Sequence, residues 1–549
     1  MIEDLALYSG AIGALGWTVL RARQRLQLSM AKHRSLAGHA RMAQRVARLV
    51  PGYAYGLDRF FAADGAPPDV ADRRRAGFER LAGLYATRFP KTRAMTKEAG
   101  EVLSDLQFTS RYRVPFQFSP RVREALHMCS FLKASHGRLV EDLDGNLLHD
   151  LTGSYGVNVL GYDTYKDCID EAVSTARELG PVLGSYHPCI LDNARRLRAI
   201  SVLDEVSFHM SGTEAVMQAV RLARYHTRRT HLVRFCGAYH GWWEDVQPGP
   251  GNPVAPRDTY TLREMDPRSL TVLRTRRDIA CVLVNPLQAL HPNAPAPGDS
   301  TLVDSARKAG FDKVAYAEWL RQLRQVCDER SIVLIFDEVF VGFRLAPGGA
   351  QEYFGVRADM VTYGKTLGGG LPVGAVCGRG PLMRRFRSER PADLCFARGT
   401  FNSHPYVMAA MQAFLDRLER PEVKALYVDM DERWDARARR FNARLAQAGV
   451  PVRVAHLCSI WTVTYTQPSR YNWMLQYYLR AHGLALSWVG TGRLIFSLDF
   501  EDSDMEAVET RFVAAAIEMQ ADGWWWDDGR LSNRSIRRNI LKEMLQERL

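Results

Sequence analysis

Residues 335–375 read IFDEVFVGFRLAPGGAQEYFGVRADMVTYGKTLGGGLPVGA, and the fold is decided in this stretch. Val333, Leu334, Ile335 and Phe336 form a short unbroken apolar run, the pattern of a strand buried on both faces of a parallel sheet. Asp337 then falls at the carboxyl end of that strand, the edge where open α/β sheets bind their ligands. Val361, Thr362 and Tyr363 form a second such run, and Gly364 lets the backbone come close before Lys365. Lys365 follows Asp337 by 28 residues, which suits one strand-to-strand crossover. The run from Gly368 to Ala375, GGGLPVGA, argues against a random surface loop, because so many glycines permit positive φ and tight packing around a ligand.

An acid and a lysine so placed meet the needs of pyridoxal 5'-phosphate chemistry. The amine that condenses with the cofactor's aldehyde must be a lysine, and a carboxylate against the pyridine nitrogen keeps the ring protonated as an electron sink. Lys365 suits the first role, and it can then move a proton between the substrate carbon and the cofactor's C4′. Asp337 suits the second. A lysine after a strand is otherwise a common surface residue, since lysines are rarely buried.

Ser211-Gly212-Thr213-Glu214-Ala215 reads as a turn opening a helix, whose N-terminal amides can hold an anion; as a structural device alone it is an ordinary N-cap. Together with Tyr239-His240-Gly241, Arg398-Gly399-Thr400-Phe401 and the Asp337 and Lys365 blocks, it resembles the class III (ornithine-type) aminotransferases and, within them, the glutamate semialdehyde aminomutase branch. Five matches in the family's order over about 190 residues argue against coincidence. The resemblance covers residues 110 to 525 in round numbers. It implies a fold-type I pyridoxal phosphate-dependent transferase: an α/β fold with a mostly parallel central sheet, helices on both faces and a small C-terminal α+β lobe. In the cofactor-binding roles it implies, Ser211, Gly212 and Thr213 cradle the phosphate, Tyr239 stacks on the ring, and Val339 packs on the opposite ring face. Thr400 would reach the phosphate of the neighbouring subunit, so a homodimer with shared active sites is expected.

Three departures bear on substrate handling. Family members commonly carry a Glu-Pro pair on the strand before the aspartate strand, where this chain has Asn285-Pro286-Leu287-Gln288. Phe340 stands where several transaminases have a glutamine near the cofactor's phenolic oxygen, and the aminomutase branch is also apolar there. Residues 289–311, ALHPNAPAPGDSTLVDSARKAGF, look longer than the family's usual connection, a form that suits either a lid or a solvated insertion.

The 549 residues suffice for about three domains and a large core, and 46% apolar with 24% charged residues is ordinary for a globular enzyme. Nine cysteines include no CxxC pair and read as reduced, mostly buried thiols, and no metal-ligand spacing stands out. The net charge of +12 owes much to the first hundred residues. Arg21, Arg23, Arg25, Lys32, Arg34, Arg41, Arg45 and Arg48 occur without an intervening acid. Met42, Val46, Leu49 and Val50 keep helical spacing with Arg41, Arg45 and Arg48 on another face, so a basic amphipathic helix is expected, ended by Pro51-Gly52. Leu5 to Leu20 is apolar but too short to span a bilayer and lacks a basic leader, which leaves an interfacial helix or the first helix of an extension.

The expected organisation is a basic helical extension over 1–105, an N-terminal lobe over 106–164, a large cofactor-binding domain over 165–405, a small C-terminal domain over 406–525 and a helical tail over 526–549. Within these, Asp69 to Arg88 reads as a helix, Leu139 to Asn146 as a hairpin around Asp144-Gly145, and Arg493 to Leu498 as a strand. In the tail, Ile536, Ile540, Leu541, Met544 and Leu545 share one face. The expected activity moves an amino group between an amine or amino acid donor and an aldehyde or keto acceptor, long-chain or carrier-bound acceptors included. If both carbons lie in one molecule, the same steps make an aminomutase. A reading of another class is a non-catalytic binding or regulatory protein using its basic extension; nucleic acid is disfavoured as a partner because residues 1–105 show no helix-turn-helix pattern. An acidic carrier protein or an anionic membrane surface suits the extension better. The expected location is the cytoplasm, with a peripheral membrane position open.

Overall fold

The computed structural model describes residues 2–34, 38–128, 131–247, 251–254, 256–291, 293, 305, 308–487 and 492–547, with side chains from residue 14 onward. Most of the 289–311 stretch therefore lies outside the described residues.

Three short strands come first: β1 (Leu132–His136), β2 (Leu139–Asp142) and β3 (Leu147–Asp150), paired antiparallel in sequence. The β2–β3 turn is the expected Asp144-Gly145 hairpin, with Asp142 Oδ1 accepting the Asp144 and Asn146 amides at 3.0 and 2.9 Å. The central sheet follows, from β4 (Glu205–His209), β5 (His231–Phe235), β6 (Thr259–Leu262), β7 (Ile279–Val284), β8 (Val333–Asp337), β9 (Met360–Gly364) and β10 (Gly374–Gly378). Its spatial order is β4-β10-β9-β8-β7-β5-β6. The pairs β9–β8, β8–β7, β7–β5 and β5–β6 are parallel, whereas β10 runs antiparallel to both its neighbours. Every residue of β7, β8, β9 and β10 is buried, which is why these strands read as unbroken apolar runs rather than alternating ones.

This topology gathers the motifs at one edge. The parallel strands deliver Tyr239, Asn285, Asp337 and Lys365 just past their carboxyl ends, and β4 delivers Ser211 likewise. Because β10 is reversed, its first residue, Gly374, sits at the same edge, opposite His209 and Gly364.

The helices that bear on function are α1 (Ile2–Ala31), α2 (Ala40–Ala47), α3 (Pro68–Arg88), α4 (Gly212–Thr227), α5 (Pro267–Thr275), α6 (Lys313–Arg330) and α7 (Asn533–Gln546). In α3, Phe78, Leu81 and Tyr85 are buried on one face, as the spacing predicts. At the N-terminus, Leu5 to Leu20 lies in the first helix of the extension, α1, which continues through Arg21, Arg23 and Arg25. The basic helix α2 ends at Ala47, short of Pro51-Gly52; Ala43 is its buried residue, and Met42 (52% exposed) and, beyond the helix, Leu49 (53%) face solvent, so the apolar side is not the packed side. The strand expected from Arg493 ends at Ile495 and pairs with the strand Ile460–Tyr465.

The tail packs on part of the expected face, with Ile540 and Met544 half-buried beside Ile536. In α7, Ile536 is buried but Leu541 and Leu545 are exposed, and the second buried residue is Glu543. Its Oε1 lies 2.7 Å from Arg470 Nη1 and 3.0 Å from Arg59, while Oε2 accepts from Tyr53 Oη at 3.0 Å and from Tyr55. Nearby, Arg74 of α3 is fully buried, bonded to Asp64 Oδ2 at 2.7 Å and to the Gly523 carbonyl at 2.8 Å. The two ends of the chain are thus joined through buried charge. Two ions taken out of water are tolerated only where each is paired and hydrogen-bonded, as here.

Candidate active site

Asp337 and Lys365 end adjacent parallel strands, β8 and β9, and Asp337 is in register with Thr362. The Asp337 carboxylate is buried and triply held: Oδ2 lies 2.8 Å from His240 Nδ1, and Oδ1 accepts from Thr362 Oγ1 and the Val339 amide at 3.2 Å each. A carboxylate gripped at both oxygens has one orientation. Its remaining lone pairs define where a proton-bearing ring nitrogen could approach.

Lys365 opens a 3-10 turn with φ of +51°, a left-handed conformation that costs a non-glycine residue energy and persists only where surroundings enforce it. Its Nζ stands 4.5 Å over the Phe340 ring. Burial lowers the amine's pKa to about 8; the Asp337 charge opposes this, and Arg493 and Arg344 add to it. Near-neutral ionisation suits an amine that must attack and must carry protons.

The phosphate end is built from α4. Ser211 is its N-cap, with Oγ accepting the Glu214 amide at 3.3 Å, and the Glu214 carboxylate accepts the Met210 amide at 3.0 Å. Four N–H groups at a helix start lack intrahelical partners, and together with the helix dipole they form an anion site. Space there is tight: a Cβ on Gly374 would stand 2.0 Å from the Ser211 carbonyl oxygen, and one on Gly212 would stand 2.5 Å from Val339 Cγ1. Val339 therefore lies between Gly212 and Gly364, at the heart of the cleft. Tyr239 remains 53% exposed, its carbonyl held by Asn285 Nδ2 at 2.9 Å. The side chain that replaces the family's carboxylate thus orders the backbone of the aromatic block. Thr400 is exposed and makes no contact with the other site residues among those described.

The structure brings Ser211, Gly212, Thr213, Val339, Asp337 and Lys365 together, and three further residues come with them that sequence reasoning assigned no site role. His240 grips Asp337, and its Nε2 is buried without a hydrogen-bond partner. Glu338 is buried beneath the strand end and accepts the Ala350 amide at 2.6 Å, and burial pushes its carboxyl up to about 8. Arg493 lies with its guanidinium carbon 5.6 Å from the Phe340 ring and Nη2 3.1 Å from His291 Nε2. For His240 the signal was present, as its block was singled out for the neighbouring Tyr239. Arg493 carried none beyond the start of a strand.

The donor set fits pyridoxal phosphate. A held, buried acid, a lysine near neutral pKa, a helix start with glycine beside it and an apolar side chain between them are what the ring nitrogen, aldehyde, phosphate and ring face require.

Comparison with known proteins agrees. The family described as aminotransferase class-III matches residues 121–244 and 302–516. The match leaves out 1–120 and 245–301, which hold the extension and the first part of the long 289–311 connection. The glutamate-1-semialdehyde 2,1-aminomutase of Nitratidesulfovibrio vulgaris (strain DP4) is 35% identical over 379 residues, 66% of this chain and 84% of that protein. Among solved structures, the β-phenylalanine aminotransferase of Variovorax paradoxus shares the fold at a TM-score of 0.64, with 24% identity over 81% of this chain and 96% of that one. A transaminase with pyridoxal phosphate bound aligns at 0.60, with 26% identity over 81% of this chain and 99% of that one.

Proposed function

This chain belongs to the class III aminotransferase family, and from that premise we propose a pyridoxal phosphate-dependent enzyme that moves an amino group between an amine or amino acid donor and an aldehyde or keto acceptor. The observation that carries the reading is the pairing of a gripped, buried Asp337 with Lys365 at the ends of adjacent strands. Bound pyridoxal phosphate supplies an aldehyde carbon and an electron-withdrawing ring. Asp337 holds a proton at the pyridine nitrogen, and His240 and Thr362 keep its carboxylate pointed there. Lys365 Nζ would take a proton from the substrate carbon that bears nitrogen and deliver it to the cofactor's C4′, the carbon on the other side of that nitrogen. Ser211, Gly212 and Thr213 bind the phosphate through the start of α4, while Val339 and Tyr239 hold the ring faces.

A screen of amines and aldehydes, read by the cofactor's absorbance shift, tests the assignment. Failure of every donor to shift the spectrum of the yellow protein would defeat it. An intramolecular version, aminomutase chemistry, is favoured by apolar Phe340 and by the aminomutase relative. The two separate on whether a second keto compound is consumed in stoichiometric amount.

Thr400, exposed in one chain, is read as the residue that reaches a neighbouring subunit's phosphate in a homodimer, and sedimentation of the holoenzyme tests that assembly. The extension is read as a surface for an acidic carrier protein or an anionic membrane, in a protein placed in the cytoplasm or at the membrane's edge. Exposed Leu15, Trp17, Val19 and Leu20 beside Arg21, Arg23 and Arg25 support this. Deleting 1–50 should then impair turnover of carrier-bound or long-chain substrates more than that of free small ones.

A further inference from the structure

Where α1 gives way to α2, the chain turns against the loop between β6 and α5, and the Arg263 amide donates to the Ala31 carbonyl at 2.9 Å. A recess of about 280 Å³ opens at this corner. It is lined by Lys32, His33, Arg34, His39, Arg263 and Arg268, with Ser29 and Met30 beside them. These basic groups come from two segments more than two hundred residues apart, so their convergence is made by the fold rather than by a local run of sequence. Asp266 pairs with one of them, its carboxylate 2.9 Å from Arg263 Nη1. Lys32 is partly buried, and its ammonium has neither an ion pair nor a hydrogen bond among the described residues. Burial pushes its pKa down, against Cys236 and with a smaller contribution from Arg41, and His33 is lowered by burial, Arg263 and His39. Like charges crowded together repel one another, and an anion seated between them lowers that cost.

We propose that this recess is a binding site for a phosphate group, borne by a soluble ligand or by a lipid headgroup. Ammonium and guanidinium groups lining one recess are the donor set that tetrahedral phosphate oxygens use, Lys as a point charge and Arg as a planar fork. The recess is separate from the helix start at Ser211, and the inference does not depend on the assigned reaction.

The test uses the full-length protein loaded with pyridoxal phosphate, so that the cofactor's own phosphate site is filled, with its absorbance monitored throughout. Inorganic phosphate and pyrophosphate are titrated calorimetrically, and cosedimentation is measured with phosphatidylcholine vesicles with and without phosphatidylglycerol. Lys32→Gln with Arg268→Gln should weaken whichever binding is seen by about tenfold or more, since a hydrogen bond to a charged group is worth that much. Arg45→Gln, one charge removed from α2 outside the recess, should leave it unchanged. Phosphate binding without vesicle binding identifies a soluble ligand; vesicle binding that the double substitution abolishes identifies a headgroup. No binding of either kind overturns the proposal, and so does equal weakening by Arg45→Gln, the mark of diffuse attraction. A double variant that loses its cofactor spectrum is replaced by Arg34→Gln, on an exposed side chain, judged by the same criteria.

Discussion

Lys365 and Asp337 were legible in sequence because chemistry dictates both residue types and the crossover dictates their spacing. Replacing Lys365 with alanine should lower turnover by about 10²–10⁴-fold, the worth of a positioned proton carrier, while the far-ultraviolet circular dichroism of the folded chain stays unchanged. Asp337→Asn should retain some cofactor and lose most activity, because a neutral amide cannot hold a proton at the pyridine nitrogen; steady-state rates with a saturating donor check this. His240 was not legible in this role: it lies 97 residues from its partner, and only the sheet brings them together. His240→Ala should cost less activity than Asp337→Asn, since Thr362 and the Val339 amide still hold the carboxylate. The lowered pKa of Lys365 has a thermodynamic side. The unfolded chain keeps its lysine proton up to about 10.4, whereas the folded apoprotein releases it near about 8. Between these values the unfolded state binds more protons, so stability rises with pH there, and the penalty is fully present below the folded value. Urea titrations of cofactor-free protein across that window should show the rise, and Lys365→Met should flatten it.

At the scale of elements, the apolar runs of β8 and β9 could be read directly, because a strand buried on both faces has no polar alternation. The direction of β10 could not, since an apolar run says that a strand is buried but not which way it runs. Its reversal puts Gly374 against the Ser211 carbonyl, so the strand after the lysine abuts the N-cap of α4. Gly374→Ala should therefore destabilise the protein by about 1–3 kcal/mol, the usual cost of overpacking, and loosen cofactor retention. Thermal melts with and without added pyridoxal phosphate measure both effects. In α1 the apolar stretch and the helix do not end together. Hydropathy changes abruptly at Arg21, but arginine is a good helix former, so the helix runs on where the apolar stretch stops.

Across the whole molecule, the two chain ends meet at Glu543, and the pairing was invisible in sequence because a charged residue on an otherwise apolar tail face reads as solvent-facing. Glu543→Gln should cost about 3–5 kcal/mol, as breaking one side of a buried pair leaves Arg470 uncompensated; chemical denaturation with a probe on the N-terminal helices reports it. Burial alone would raise the Glu543 carboxyl, but Arg470 and Tyr55 outweigh it and hold the value at about 2. The stabilisation is thus intact above the ordinary glutamate range of about 4.3 and is lost as pH falls through that range toward the folded value. In wild-type protein, acid should release the N-terminal helices as pH falls through that window, and in Glu543→Gln this step should disappear. The same joint sets an order of events during synthesis. Tyr53, Tyr55 and Arg59 are synthesised long before Arg470, and the acid they share comes later still. Until Glu543 emerges, the buried Arg470 guanidinium lacks that counter-charge, so the N-terminal segments cannot complete this joint while synthesis is short of residue 543.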